Sequence, residues 1–146
     1  MEYRTLQLAD KDAVEQVLAP LGRNDSALGF ANLYSLTEKY GTEVRLEGRA
    51  LHVRQRRRLP GAVAYYPPLG GEDVVADIAR LLEETGGAGE RPVLVGVTPS
   101  QRQRLEEALP GMFAFSTDRA FADYLYRTRD IAAYAGPALA KKRRET

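Results

Sequence analysis

The side chains in this sequence best equipped for chemistry are tyrosines and arginines. Tyr66 closes the run "GAVAYYP", and Tyr124 and Tyr126 stand two apart in "DYLYRT". Residues two apart on a strand share a face, so these two phenols project together while Asp123 points the other way. A phenol held against a reacting group serves as a general acid toward a leaving oxygen. The commoner use of such tyrosines is core packing with the hydroxyl at the rim. The run "RQRRR" supplies Arg54, Arg56, Arg57 and Arg58 at the end of a strand, where it enters a turn. Forked guanidinium groups grip the phosphates of RNA or of a lipid headgroup. The competing use is a solvated strand end whose charge guards a sheet edge. A second basic run, "KKRR", contains Lys142 and Arg143.

Several other chemistries lack their residues. His52 is the single histidine, between Leu51 and Val53, and a lone histidine builds neither a zinc site nor a triad. The structural reading of His52 is preferred. Cysteine is absent, which removes thiolate nucleophiles, disulfides and cysteine-based metal sites. No metal site is expected. A net charge of +1 gives no global pull toward polyanions, so any such affinity must come from local clusters. The N-terminus has no apolar signal-peptide core, and no apolar run approaches the ~20 residues that span a bilayer. A cytoplasmic location is the expectation.

Hydrophobic periodicity supplies the elements that must position these residues. "YRTLQL" reads as a strand, with Asp10 placed to cap the following helix, whose stripe is Val14, Val17, Leu18 and Leu21. "ALGFANLYSLTEKYG" reads as a second helix, stopped at Gly41. "TEVRLEG" and "ALHVRQ" form a hairpin around Gly48, followed by the strand "GAVAYYP". Val74, Val75, Ile78, Leu81 and Leu82 give an amphipathic helix that ends in "TGGAG". "PVLVGV" has the continuous apolar character of a central strand buried on both faces. Thr98, Pro99 and Gln101 make a capping box on a proline start. "MFAFS" and "AFADYLY" read as two more strands, and "RDIAAYAG" as a short helix.

The expected fold is therefore α/β (α+β), a mixed sheet with helices on both faces in the element order of GNAT acyltransferases. Residues 1–136 form one domain, and 137–146 form a basic tail or a linker. Acyl-CoA enzymes of that fold cradle a pyrophosphate on a glycine-rich turn at a helix N-terminus. Here the turn is "YYPPLGGED". Two prolines remove N–H donors, and Glu72 and Asp73 set negative charge at the helix start. Acyl-CoA is disfavoured, and no other cofactor is identified.

"FANLYSLTEKYGTEVRLEGRALHVR", "AYYPPLG" and "DYLYRTRDIAAYAGPALAKKRRET", in that order, resemble the N-terminal half of the phosphatidylglycerol lysyltransferase C-terminal-domain family, over nearly the whole chain. Phe30, Asn32, Leu33 and Tyr34 match its Phe-x-Asn-Leu-aromatic run, with Leu36 in place of a tryptophan. Pro68 to Gly70 match its Pro-x-Gly turn, and Asp123, Tyr124 and Tyr126 its Asp-Tyr-x-Tyr strand. Lys142 and Arg143 match a closing Lys-Arg-Asn, with Arg144 where asparagine is expected.

The resemblance implies a tandem GNAT-like architecture and an aminoacyl-tRNA donor. It also implies a second GNAT-like domain as partner, in cis or in trans, a homodimer included. On this reading Tyr66, Tyr124 and Tyr126 are the catalytic candidates. Asn32, Tyr34, Gly70, Arg56, Arg57, Arg58, Lys142 and Arg143 are the binding candidates, for tRNA or an anionic lipid headgroup. The alternative is a non-catalytic GNAT-like scaffold or binding module.

Overall fold

The computed structural model describes residues 2–22, 28–90 and 92–116. Five strands order themselves in chain sequence, β1 (Arg4–Thr5), β2 (Thr42–Glu47), β3 (Ala50–Leu59), β4 (Ala62–Tyr65) and β5 (Pro92–Leu94). The first four pair antiparallel, and β5 joins β4 in parallel, so the sheet is mixed. The β4–β5 crossover carries the long helix α4 (Val74–Gly87), as a parallel connection requires. The helices α1 (Lys11–Leu18), α2 (Phe30–Ser35) and α3 (Thr37–Tyr40) lie between β1 and β2 in sequence, and α5 (Pro99–Ala108) follows β5.

Strand alternation divides the sheet into two unlike faces. Val44 lies opposite Val53, and Leu46 opposite Leu51. These four share a face, and Val44, Leu51 and Val53 enter a core with Leu6, Val14, Phe30, Leu33 and Leu69, while Leu46 at its margin stays exposed. The opposite face carries Glu43 beside Arg54 and Arg45 beside His52, and α4 reaches it through the Arg45–Glu84 ion pair, 3.1 Å. Helices thus occupy both faces, as the element order predicts.

Several elements differ from their sequence reading. β1 is only two residues long. Asp10 stands at the head of α1 without capping it, because its carboxylate is taken by the Gln7 N–H at 2.8 Å and by the Arg4 guanidinium. The single helix expected over residues 27–41 is two helices that break at Leu36. There the Ser35 hydroxyl donates to the Asn32 carbonyl and the Thr37 hydroxyl to the Leu33 carbonyl, competing with helical N–H donors. α4, by contrast, ends at Gly87, within "TGGAG" as expected.

β5 is shorter than "PVLVGV", and Val93 is 36% exposed, so it lacks the two-sided burial expected of a central strand. "MFAFS" forms no strand. Its aromatics pack locally instead: Phe113 and Phe115 meet at 6.0 Å, and the Arg102 guanidinium sits 4.8 Å from the Phe115 ring. The expected strand "AFADYLY", the final helix and the rest of the expected 1–136 domain lie outside the described residues.

The capping box on α5 is formed in full. Gln101 N–H donates to Thr98 Oγ1 at 3.2 Å, and Thr98 N–H to Gln101 Oε1 at 3.0 Å.

Candidate functional site

The arginine run ends β3, which continues past the expected "ALHVRQ" to Leu59 before the turn. From Gln55 to Leu59, four steps of β3 face only two of β4, from Ala64 to Ala62, so the strand bulges through Arg56, Arg57 and Arg58. A bulge re-aims successive side chains, and here it sends the three guanidinium groups to three places.

Arg56 turns to the charged face. Its Nε donates to Glu43 Oε1 at 2.7 Å, and its Nη1 lies 3.6 Å from Glu90 Oε1. Arg54 Nε donates to the same Glu43 oxygen at 2.8 Å. Arg54 also faces Tyr65, its register partner on β4, whose hydroxyl donates to Glu90. Glu43, Arg54, Tyr65, Glu90 and Arg56 thereby make a ring of interactions that fastens the chain after α4 to three strands. Tyr3 packs under it, with the Arg54 guanidinium 3.8 Å and the Arg45 guanidinium 4.7 Å from its ring centroid.

Burial raises the Glu43 carboxyl, but its hydrogen bonds from Arg54 and Arg56 outweigh that and hold it below the usual carboxylate range. Burial, then the bond to Glu90, pushes the Tyr65 phenol up to about 12. His52 lies in the same layer, its ring edge-on to Tyr3 at 6.5 Å and its Nδ1 without a partner. Burial and the Arg45 charge lower its pKa, in keeping with a structural histidine.

These shifts set opposite pH limits. The unfolded chain binds a proton at His52 near its ordinary 6.5 before the folded protein does, so stability falls as pH drops below that value. Unfolded Tyr65 releases its proton near 10.0 while the folded phenol holds it to about 12, so stability also falls as pH rises between those values. Urea unfolding across pH is expected to show both limits. Tyr65→Phe reduces the alkaline one, the buried Tyr3 phenol, also raised, keeping the rest, and His52→Gln removes the part of the acid one near neutrality. An unchanged alkaline loss in Tyr65→Phe contradicts the assignment.

Arg58 turns to the apolar face, where Nη1 donates to the Tyr66 hydroxyl at 2.9 Å and to Gln55 Oε1 at 3.1 Å. Tyr66 itself is a core residue, its ring packed so closely on Gly96 that a Cβ there would lie 2.8 Å from Cε1. Arg57 takes the third direction. It donates to the Glu38 carbonyl and lies across Gly41, where a Cβ would meet Nη1 at 2.9 Å.

A cleft of about 550 Å³ opens where α2, α3 and the ends of β2 and β3 meet. Tyr34, Thr37, Glu38, Glu43, Arg56 and Arg57 are among its lining residues. Tyr34 is 41% exposed and stacks at 8° on Phe30, with centroids 5.6 Å apart. The structure therefore brings together Tyr34, Arg56 and Arg57 from the expected binding set.

It does not bring the others there. Asn32 is half-buried at the α2 end, where its carbonyl accepts the Leu36 N–H at 3.2 Å. Gly70 is explained by packing, with a φ of +79° and a Cβ position 2.8 Å from Val17 Cγ1. Tyr66 and Arg58 belong to the core side. Tyr124, Tyr126, Lys142 and Arg143 lie outside the described residues.

Glu43 and Glu90 were not singled out from the sequence, and Tyr65 stood out only as a tyrosine beside Tyr66 at a strand end. The alternation "TEVR" against "HVRQR" already places Glu43 and Arg54 on one face, but not as partners. Among the described residues, no cluster of three His, Asp or Glu side chains is placed to hold a metal. At the head of α4, the Val75 and Ala76 N–H groups donate to Asp73 Oδ1 at 3.1 and 3.2 Å. The donors that would serve a pyrophosphate are therefore engaged by the chain's own carboxylate.

A mixed five-stranded sheet in this order, with helices on both faces, makes an α/β domain. Residues 18–146 match the family described as phosphatidylglycerol lysyltransferase, C-terminal, and the chain belongs to that family. Its structure is similar to the crystal structure of a conserved protein of unknown function from Bacteroides thetaiotaomicron VPI-5482, with a TM-score of 0.83 and 29% identity. The match covers 99% of this chain and 48% of that one, so this chain spans about half the length of its relative. No curated protein matches the chain. Among the described residues no helix is long and apolar enough to cross a membrane.

Proposed function

We propose that this domain is one half of a tandem GNAT-like aminoacyltransferase, working with a second GNAT-like domain supplied in cis or in trans. The observation that carries the reading is the half-length match to a solved relative by a chain of the lysyltransferase family. The transfer would pass an aminoacyl group from the 3′ ribose of a charged tRNA to an acceptor hydroxyl or amine. The donor's ester C–O bond breaks as the acceptor's bond to the carbonyl carbon forms, and the acceptor's proton goes to the departing ribose oxygen. Holding donor and acceptor in register supplies much of the acceleration, and oriented dipoles steady the tetrahedral oxyanion. Tyr124 and Tyr126 are the tyrosines to test as acids, because the Tyr66 hydroxyl is already engaged by Arg58.

A second reading, a scaffold without its own chemistry, draws on the ring that engages Arg54 and Arg56 internally. One experiment separates the two. The protein, with its partner domain, is incubated with charged tRNA and phosphatidylglycerol vesicles, or with acetyl-CoA and an amine, and products are followed by mass spectrometry. The transferase reading expects an aminoacylated product that depends on charged tRNA and falls in Tyr124→Phe/Tyr126→Phe. Turnover of acetyl-CoA without tRNA contradicts it, and no product with either donor favours the scaffold.

A further inference from the structure

We infer that the cleft between α2, α3 and the ends of β2 and β3 is a nucleotide subsite, with a base stacked on Tyr34 and its phosphate held by Arg57. The inference deepens the transferase reading and rests on it for its biological setting, but its chemistry stands on the cleft alone.

Tyr34 presents its ring to the cleft while Phe30 backs it in near-parallel contact. A backed, exposed ring is a preformed platform for a flat π-system, since little side-chain freedom remains to be lost on stacking. Arg57 lines the same cleft and differs from its neighbours in the run. Arg54 and Arg56 are neutralised by Glu43 and Glu90. The Arg57 guanidinium instead holds a backbone carbonyl, that of Glu38, so its charge is not cancelled by a bonded carboxylate.

That carbonyl bond and the contact over Gly41 fix the guanidinium in place, which suits it to a phosphate fork. Glu38 and Glu43 also line the cleft. Carboxylates there oppose a bare polyanion and accept from a ligand that brings donors of its own, such as a ribose hydroxyl or an exocyclic amine. A nucleotide offers the ring, the phosphate and the donors together. An anionic lipid headgroup offers no ring, so Tyr34 would be idle.

The test is titration of the 146-residue chain with AMP, adenosine and ribose 5-phosphate, followed by NMR chemical shifts, and with phosphatidylglycerol vesicles, followed by co-sedimentation. AMP is expected to bind saturably and more tightly than either fragment. Tyr34→Ala should weaken it about tenfold through lost stacking, and Tyr34→Phe should retain it. Arg57→Gln removes the charge, and with its fold checked by melting temperature, its AMP affinity should drop toward that of adenosine.

Ribose 5-phosphate binding as well as AMP, no saturable AMP binding at millimolar concentration, or equal affinity in Tyr34→Ala each overturns the inference. Vesicle binding that depends on Arg57 and not on Tyr34 assigns the cleft to a membrane and also overturns it. Aminoacyl transfer is scored separately: transfer without AMP binding defeats the subsite alone, and AMP binding without transfer defeats the transferase reading alone.

Discussion

Replacing Glu43 by alanine is expected to lower the free energy of unfolding by about 3 kcal/mol, a large share of a small domain's stability. One carboxylate oxygen receives both Arg54 Nε at 2.8 Å and Arg56 Nε at 2.7 Å. Arg54 is the more buried of the two and is pressed on Tyr3, so it has little water to turn to when its partner leaves. Breaking such a pair costs more than the pair itself contributes, because a desolvated charge is left behind. Arg56 still has Glu90 nearby, which places the estimate at the lower end of the range for buried pairs. Glu43→Gln keeps an acceptor without the charge and should recover part of the loss. Urea denaturation measures both variants, and a Glu43→Ala midpoint equal to wild type contradicts the ring as a stabilising unit.

Gly70→Ala is expected to cost about 2–4 kcal/mol, by strain and overpacking together. Its φ of +79° is one that side-chain-bearing residues avoid. An added methyl would also meet Val17 Cγ1 at 2.8 Å and the Arg49 carbonyl at 3.0 Å. The side chain can move, but the carbonyl belongs to the hairpin turn and cannot easily follow. Gly48→Ala is the matched control, with a similar φ of +59° and open space at its Cβ position. It should lose only the conformational part, about 1 kcal/mol. Equal losses at the two glycines, by thermal or urea unfolding, contradict the packing explanation for Gly70.

What the sequence made readable was local or periodic. The capping box of Thr98 and Gln101 rests on three residues and one helical turn, and it forms as read. The β2–β3 hairpin and the apolar stripe of α4 likewise follow from nearby residues. "MFAFS" shows the limit: its alternation suits a strand, but its aromatics find Arg102 and each other. The bulge in β3 was hidden because register depends on the partner strand, which no short window contains. Alternation also told which side chains share a face without telling whether that face is covered. Arg54 was read with the rest of its run as a solvated strand end, yet it lies with Arg45 and His52 in a buried layer against Tyr3 and Tyr65. The cleft was half legible. Tyr34, Arg56 and Arg57 were candidates for binding, but their meeting depends on the bulge and on the break between α2 and α3.

The central claim, that the Tyr34–Arg57 cleft serves aminoacyl transfer, is tested most directly by kcat/KM for charged tRNA in wild type, Tyr34→Ala and Thr98→Ala. Thr98 caps α5 and is not among the residues that line the cleft. Tyr34→Ala should lose about tenfold in kcat/KM with a melting temperature lowered only by the lost Phe30 contact, while Thr98→Ala should melt earlier through its lost cap and keep its kcat/KM. A Tyr34→Ala enzyme with wild-type kcat/KM would contradict the claim.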